Sequence, residues 1–295
     1  MPCQSGPVFA GFDAQRVETD EAVIHVRIGG SGPPLLLLHG FPETGAMWDA
    51  VASRLAGSFT VVCPDLRGYG ASSRPASGPD HAAYSKRAMA RDQVQVMEQL
   101  GFTSFAVAGH DRGGRCAYRM AFDHPDRVTR LGVLDIVPTY EVYARTDMRV
   151  ALGYWHWFFL VQPAPMPERL MAIDPDNSFP GAFLGGLAAP EALAEYRRAW
   201  HNPEVVHAMC EDYRAGATVD FEHDRADRGV RRITCPTLVL WGAHAPVGHW
   251  YDVVAVWSDW AEGVTGHSLD CGHFLPEERP EETADALGVF FGAGG

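Results

Sequence analysis

The chain has 295 residues, 46% hydrophobic and 21% charged, a balance that excludes disordered, collagenous and fibrous classes and provides for a substantial buried core. Lys and Arg number 24 against 37 Asp and Glu, and the formal net charge of −13 makes the overall field repel nucleic acid and anionic membrane surfaces. The length fits one α/β domain with an inserted lobe as well as two domains of roughly 150 residues.

Residues 23–28 read as a strand, followed by the breaker Gly29-Gly30-Ser31-Gly32-Pro33-Pro34 and a buried strand over 35–38. A helix-like stretch around 48–55 precedes a β-branched and apolar run at 59–63, which ends at Pro64-Asp65-Leu66-Arg67-Gly68-Tyr69-Gly70. In 85–100, Met89, Val96, Met97 and Leu100 recur at near-helical spacing, and Gly101 terminates the helix. A strand at 104–108, a helix over 114–123 and a strand at 128–134 follow. Such alternation implies a largely parallel sheet covered by helices.

From 138 to 227 the character changes. Trp155, Trp157, Phe158 and Phe159 cluster, prolines punctuate at Pro163, Pro165 and Pro167, helical stretches such as 191–200 appear, and no β-rich run interrupts. This segment reads as a helical cap inserted into an α/β core formed by residues 1–137 and 228–295. The buried-strand pattern resumes at 237–241, and a helix, a strand and a C-terminal helix near 281–291 complete the chain. The single lysine, Lys86, among many arginines reads as base-composition bias rather than function.

No apolar run approaches the roughly 20 residues of a membrane-spanning helix, and Met1-Pro2-Cys3-Gln4 carries neither a basic region nor an apolar signal core. A cytoplasmic protein is expected. The six cysteines, Cys3, Cys63, Cys116, Cys210, Cys235 and Cys271, show no CxxC pair and no zinc-like spacing, so reduced thiols are expected rather than a disulfide scaffold or a zinc site.

The most informative stretch is Gly109-His110-Asp111-Arg112-Gly113-Gly114-Arg115, between a strand and a helix. It fits the nucleophile-elbow pattern Gly-x-nucleophile-x-Gly, in which glycines permit a turn that projects one side chain above the sheet. Here that side chain is a carboxylate. A serine attacking a saturated carbon would leave an ether that water does not readily cleave, whereas an aspartate leaves an ester that a histidine-activated water can hydrolyse. The competing reading is an Asp that merely caps the helix. His273, in Asp270-Cys271-Gly272-His273-Phe274-Leu275-Pro276-Glu277, follows the last strand and is the expected base, with His267 the weaker candidate. The loop Gly242-Ala243-His244-Ala245-Pro246 has no carboxylate, so Asp135, at the end of strand 128–134, is the expected orienting acid and Asp252 the reserve. The turn Leu38-His39-Gly40-Phe41-Pro42-Glu43-Thr44 provides the Phe41 amide, which with that of Arg112 would form an oxyanion hole.

On these motifs the chain resembles the α/β-hydrolases, and among them the fluoroacetate (haloacetate) dehalogenases. The resemblance extends through Asp65-Leu66-Arg67-Gly68-Tyr69-Gly70, Leu134-Asp135-Ile136-Val137-Pro138-Thr139-Tyr140 and His273-Phe274-Leu275-Pro276-Glu277-Glu278. More specific are Arg112 with Arg115, His156-Trp157, and Cys210-Glu211-Asp212-Tyr213-Arg214-Ala215-Gly216. The resemblance implies that Arg112 and Arg115 bind a substrate carboxylate, and that His156, Trp157 and Tyr213 bind the departing halide. Three residues apart in the first helical turn, the two guanidiniums can face one way and suit such a ligand. Imidazole, indole and phenol supply N–H, N–H and O–H donors to replace the hydration of a halide. By contrast Tyr140, Tyr143 and Tyr154 have no comparable claim. The expected reaction takes a small haloacid, needs neither metal nor organic cofactor, and involves no nucleic acid or membrane; a homodimer is common in similar proteins. The alternatives are an epoxide hydrolase with the same nucleophile and a catalytically silent ligand-binding relative.

Overall fold

The computed structural model describes residues 8–177, 179, 181–184 and 186–292. Among them one sheet contains β1 (Asp13–Glu18), β2 (Val23–Gly30), β3 (Pro34–Leu38), β4 (Thr60–Pro64), β5 (Phe105–His110), β6 (Val128–Leu134), β7 (Thr237–Gly242) and β8 (Val264–Leu269). The strand order is β1-β2-β4-β3-β5-β6-β7-β8. Only β2 runs against its neighbours, and every other pairing is parallel. Leu35 to Leu38 of β3 are fully buried, as expected for a central parallel strand covered on both faces.

β1 has no counterpart in the sequence reading. Its segment Asp-Ala-Gln-Arg-Val-Glu is exposed except at Val17, so it lacks the alternation that marks a half-buried strand. Its register is set by pairing, with Val17 opposite Ile24 of β2.

The core helices before the cap are α1 (Asp49–Leu55), α2 (Lys86–Gln99) and α3 (Asp111–Asp123). Between β6 and β7 run α4 (Thr139–Ala144), α5 (Met148–Gly153), α6 (Trp155–Leu160), α7 (Met166–Met171), α8 (Gly181–Leu184), α9 (Pro190–Trp200), α10 (Pro203–Ala215) and α11 (Phe221–Asp227), with no named strand among them. A π-helical turn, Gly216–Asp220, joins α10 to α11. The chain finishes with α12 (Pro246–Trp250), α13 (Val253–Trp260), α14 (Leu275–Glu278) and α15 (Pro280–Gly292) around β8. α2 packs on α3, which lies along β5 and β6, while α1 packs on α15. The strand ends at His110 and Leu134 and the turn after Leu38 therefore open toward the α4–α11 segment, as at the carboxyl edge of other parallel sheets.

Among the described residues no helix is long and apolar enough to cross a membrane, and no group of three or more His, Cys, Asp or Glu is arranged to hold a metal ion. Cys63, Cys116, Cys210, Cys235 and Cys271 are unbridged. Met1 to Gln4, Cys3 included, lie outside the described residues.

Candidate active site

β5 ends at His110 and α3 begins at Asp111, whose φ of +45° is a left-handed conformation rare outside glycine and typical of strain kept at a functional turn. Two glycines make this turn possible. A Cβ on Gly109 would stand 2.4 Å from the Gly113 backbone, and one on Gly113 would stand 2.3 Å from the Leu38 carbonyl oxygen. The helix starts at Asp111 rather than at residue 114, so the elbow residue is itself its first residue.

The buried Asp111 carboxylate accepts a hydrogen bond on Oδ1 from the Phe41 amide at 3.1 Å. Burial opposes its ionisation, but the positive field of His273, Arg115 and Arg112 outweighs this and holds the carboxyl well below the usual range. It is an anion at neutral pH. The Phe41 turn is fixed from two sides. His39 Nε2 accepts the Leu66 amide at 2.9 Å, and the Trp200 indole of α9 donates to the Pro42 carbonyl at 2.7 Å.

His273 Nδ1 lies 2.6 Å from Asp135 Oδ2. Asp135 directly follows β6, is fully buried with φ +54°, and accepts the Gly242 amide on its other oxygen at 2.9 Å. Burial disfavours the imidazolium, yet the hydrogen bond and charge of Asp135, with Asp111 beyond, push His273 up to about 9. The competing candidates sit elsewhere: Asp252 caps α13 through the Ala255 amide at 3.1 Å, and His267 is exposed on β8.

Behind His273 lies a buried acid pair that sequence reasoning missed. His110 Nε2 is 2.8 Å from the His273 carbonyl oxygen, so it carries the proton and donates. That leaves Nδ1 as an acceptor, 3.3 Å from Glu43 Oε2. Burial, with the Asp111 charge adding to it and His273 opposing, pushes Glu43 up to about 8, and burial beside Glu43 pushes Glu277 up to about 9. Tyr196 of α9 donates to Glu277 at 2.8 Å. Neutral His110, driven down to about 4 by burial, thus faces a protonated Glu43. The chain of polar contacts runs from α9 to the backbone of His273.

Asp111 and His273 line a cavity of about 150 Å³, together with Phe41, His156, Trp157 and Tyr213. The Tyr213 ring centre lies 5.2 Å from Phe41 and 6.0 Å from each of His156 and Trp157. Burial lowers His156 to about 4, so its imidazole is neutral and offers one N–H. Tyr154 also lines this cavity, stacked on Trp157 at 5.5 Å, in contrast to the sequence reading that gave it no role. Tyr140 and Tyr143 do not line it.

Arg112 and Arg115 are both buried. Arg115 lies over the Trp157 ring at 4.5 Å and donates through Nη1 to the Val137 carbonyl and the Thr139 hydroxyl. Arg112 lies over the Tyr213 ring at 4.3 Å. Its fork is already engaged with Asp212, by Nη2 to Oδ1 at 2.5 Å and by Nε to Oδ2 at 3.1 Å. Arg112 Nη1 and Arg115 Nε have no hydrogen-bond partner among the described residues. Asp111, His273, Phe41, His156, Trp157 and Tyr213 therefore converge from the strand ends and from the α4–α11 segment, whereas Arg112 and Arg115 do not line the cavity but lie against the Tyr213 and Trp157 rings that do, and Arg112 is held by a carboxylate that the sequence reading had not paired with it.

Comparison with known proteins gives the family of the chain. Residues 33–280 match the family model of the alpha/beta hydrolase fold. The chain is similar to a fluoroacetate dehalogenase of Burkholderia sp., 48% identical over 96% of this chain and 95% of that protein. It is also similar to a soluble epoxide hydrolase of Corynebacterium sp. (strain C12), 34% identical over 91% and 93% of the two chains. Among solved structures, a Nostoc sp. PCC 7120 protein assigned to the alpha/beta hydrolases superposes with a TM-score of 0.94 at 51% identity, covering 97% of this chain and all of that one.

Proposed function

The chain belongs to the alpha/beta-hydrolase family, in its haloacetate dehalogenase branch, and we propose that it converts haloacetates, fluoroacetate among them, to glycolate and halide through an ester on Asp111. The observation that carries this reading is a carboxylate at the elbow, in a cavity of about 150 Å³, with two arginines on its own helical turn. That volume is below the roughly 300–1,000 Å³ of most ligand clefts and suits a two-carbon acid.

Asp111 Oδ1 is engaged by the Phe41 amide. The other oxygen, Oδ2, attacks the α-carbon of the haloacetate, whose carboxylate is held by Arg112 and Arg115. The C–O bond forms as the carbon–halogen bond breaks, and His156, Trp157 and Tyr213 donate to the leaving halide in place of water. His273, oriented by Asp135, then takes a proton from water, and hydroxide adds to the ester carbonyl of Asp111. The oxyanion develops on Oδ1, where the Phe41 amide already points and the Arg112 amide completes the hole. Collapse expels glycolate as its alkoxide, which takes the proton from His273, and the Asp111 carboxylic acid so formed releases its proton to solvent, restoring the carboxylate. Activity of this kind requires no group beyond the chain's own side chains and water.

The test is fluoride-electrode and glycolate detection with fluoroacetate and chloroacetate, alongside an Asp111→Asn enzyme. Equal halide and glycolate, lost in the variant, is the expected result. Release of halide by the variant at the wild-type rate would overturn the nucleophile. One observation favours a second reading: Tyr154 and Tyr213 both line the cavity, and two phenols there suit protonation of an epoxide oxygen. Turnover of styrene oxide without halide release from either acid would select an epoxide hydrolase instead.

A further inference from the structure

Lys86 is the only lysine of the chain. It is the first residue of α2 and is 2% exposed, where an ammonium persists only against a compensating charge. Its Nζ contacts Asp212 Oδ1 directly. Asp212, fully buried on α10, receives Lys86 and Arg112 Nη2 on Oδ1, and Arg112 Nε and the Tyr69 hydroxyl on Oδ2. Burial opposes its ionisation, but Arg112 and Lys86 outweigh this and lower the carboxyl to about 2. Burial and Arg112 push the Lys86 ammonium down from its ordinary value, while Asp212 holds it up.

The charges then decide what Arg112 can offer. Arg112 with Asp212 alone is a neutral pair, and a substrate carboxylate would meet a guanidinium already cancelled inside the protein. Adding Lys86 leaves one positive charge on the triad. Asp220, whose Oδ1 accepts the Lys86 amide at 2.8 Å, is the next carboxyl, and burial drives it up to about 7, toward its neutral form. Gly216 leaves the space: a Cβ there would stand 3.0 Å from Arg112 Nη2.

We propose that Lys86 is a positioning residue for carboxylate recognition, acting through Asp212 to fix the Arg112 guanidinium and to keep the triad net positive, so that the pocket selects anionic over neutral haloacyl substrates. This inference rests on the haloacetate reading above. It is tested by kcat and KM for chloroacetate and for chloroacetamide, which has the same leaving group and no charge. In Lys86→Met the ratio of kcat/KM for acid over amide falls at least about tenfold, mostly through KM for the acid. Lys86→Arg keeps the ratio near wild type. The double variant Lys86→Met with Asp212→Asn removes one charge of each sign, leaves an amide oxygen and the residue 212 carbonyl to accept from Arg112, and recovers the discrimination, which loss of a merely structural contact would not do.

Equal losses for acid and amide in Lys86→Met, or an unchanged ratio, would overturn the proposal. Should Lys86→Met fail to fold, the double variant decides: discrimination like wild type supports the charge balance, and its loss refutes it. Wild-type enzyme that releases no halide from any haloacid removes the haloacetate reading and this inference with it. Wild-type activity with unaltered discrimination in the variants removes this inference alone.

Discussion

Replacing Asp135 by Asn separates the two halves of the proposed reaction. The Asp135 carboxylate lies 2.6 Å from His273 Nδ1 and is fully buried, and after the opposing effect of burial it is the main cause that raises His273 from 6.5 to about 9. At about 1.4 kcal/mol per pH unit, that displacement corresponds to roughly 3 kcal/mol of support for the imidazolium. The imidazolium forms when water is activated against the ester, so Asp135→Asn should slow ester hydrolysis by at least about a hundredfold. Alkylation of Asp111 does not require His273 to accept a proton, so the first halide release should change only a few-fold. Rapid-quench assays with chloroacetate should show a burst of halide stoichiometric with enzyme, then slow turnover. Intact-protein mass spectrometry should show a carboxymethyl adduct that maps to Asp111. Wild-type turnover in the variant, or halide release slowed as much as glycolate release with no adduct, would refute the assignment.

The pH dependence of kcat follows from the same base. His273 is protonated below about 9 in the resting enzyme and must be neutral to accept a proton; esterification removes the Asp111 charge that helps to raise it. Turnover should therefore climb from pH 6 upward and level off below pH 9, and a decline between pH 6 and 8 would contradict this. Because Glu43 is held near 8 as a protonated acid, Glu43→Gln should change stability by less than about 1 kcal/mol, whereas Glu43→Ala, which leaves a buried void beside His110 and Glu277, should cost about 2–3 kcal/mol in urea titration. Equal losses for the two variants would mean that the carboxyl is ionised. Gly216→Ala crowds Arg112 Nη2 at 3.0 Å, and since that nitrogen is committed to Asp212 it cannot easily move. KM for chloroacetate should rise several-fold with kcat less affected, and an unchanged KM would show that Arg112 does not meet the substrate.

What the sequence disclosed depended on how local the signal was. The elbow was legible because two glycines, a strand and a helix start fall within seven residues, and steric contact at Gly109 and Gly113 explains why nothing larger fits there. His273 was legible from its place after the last strand. β1 was not, since an exposed edge strand carries no periodic apolar pattern. The contact of Lys86 with Asp212 was not legible, because the two lie 126 positions apart and only the fold brings them together. The acid pair of Glu43 and Glu277 was hidden for the same reason, although the glutamate stands in the very turn that supplies the Phe41 amide. Tyr154 was dismissed because its neighbours His156 and Trp157 carried the resemblance, while its own approach to the cavity follows from the bend between α5 and α6.

The covalent ester on Asp111 is the central claim, and single turnover in H₂¹⁸O with enzyme in excess over chloroacetate tests it most directly. Water attacking the ester carbonyl places the isotope in the Asp111 carboxylate, detectable in the peptide that contains it, while the glycolate of that first turnover carries none. Label in the glycolate and an unlabelled Asp111 would mean that water attacks the α-carbon itself, and the account would fail.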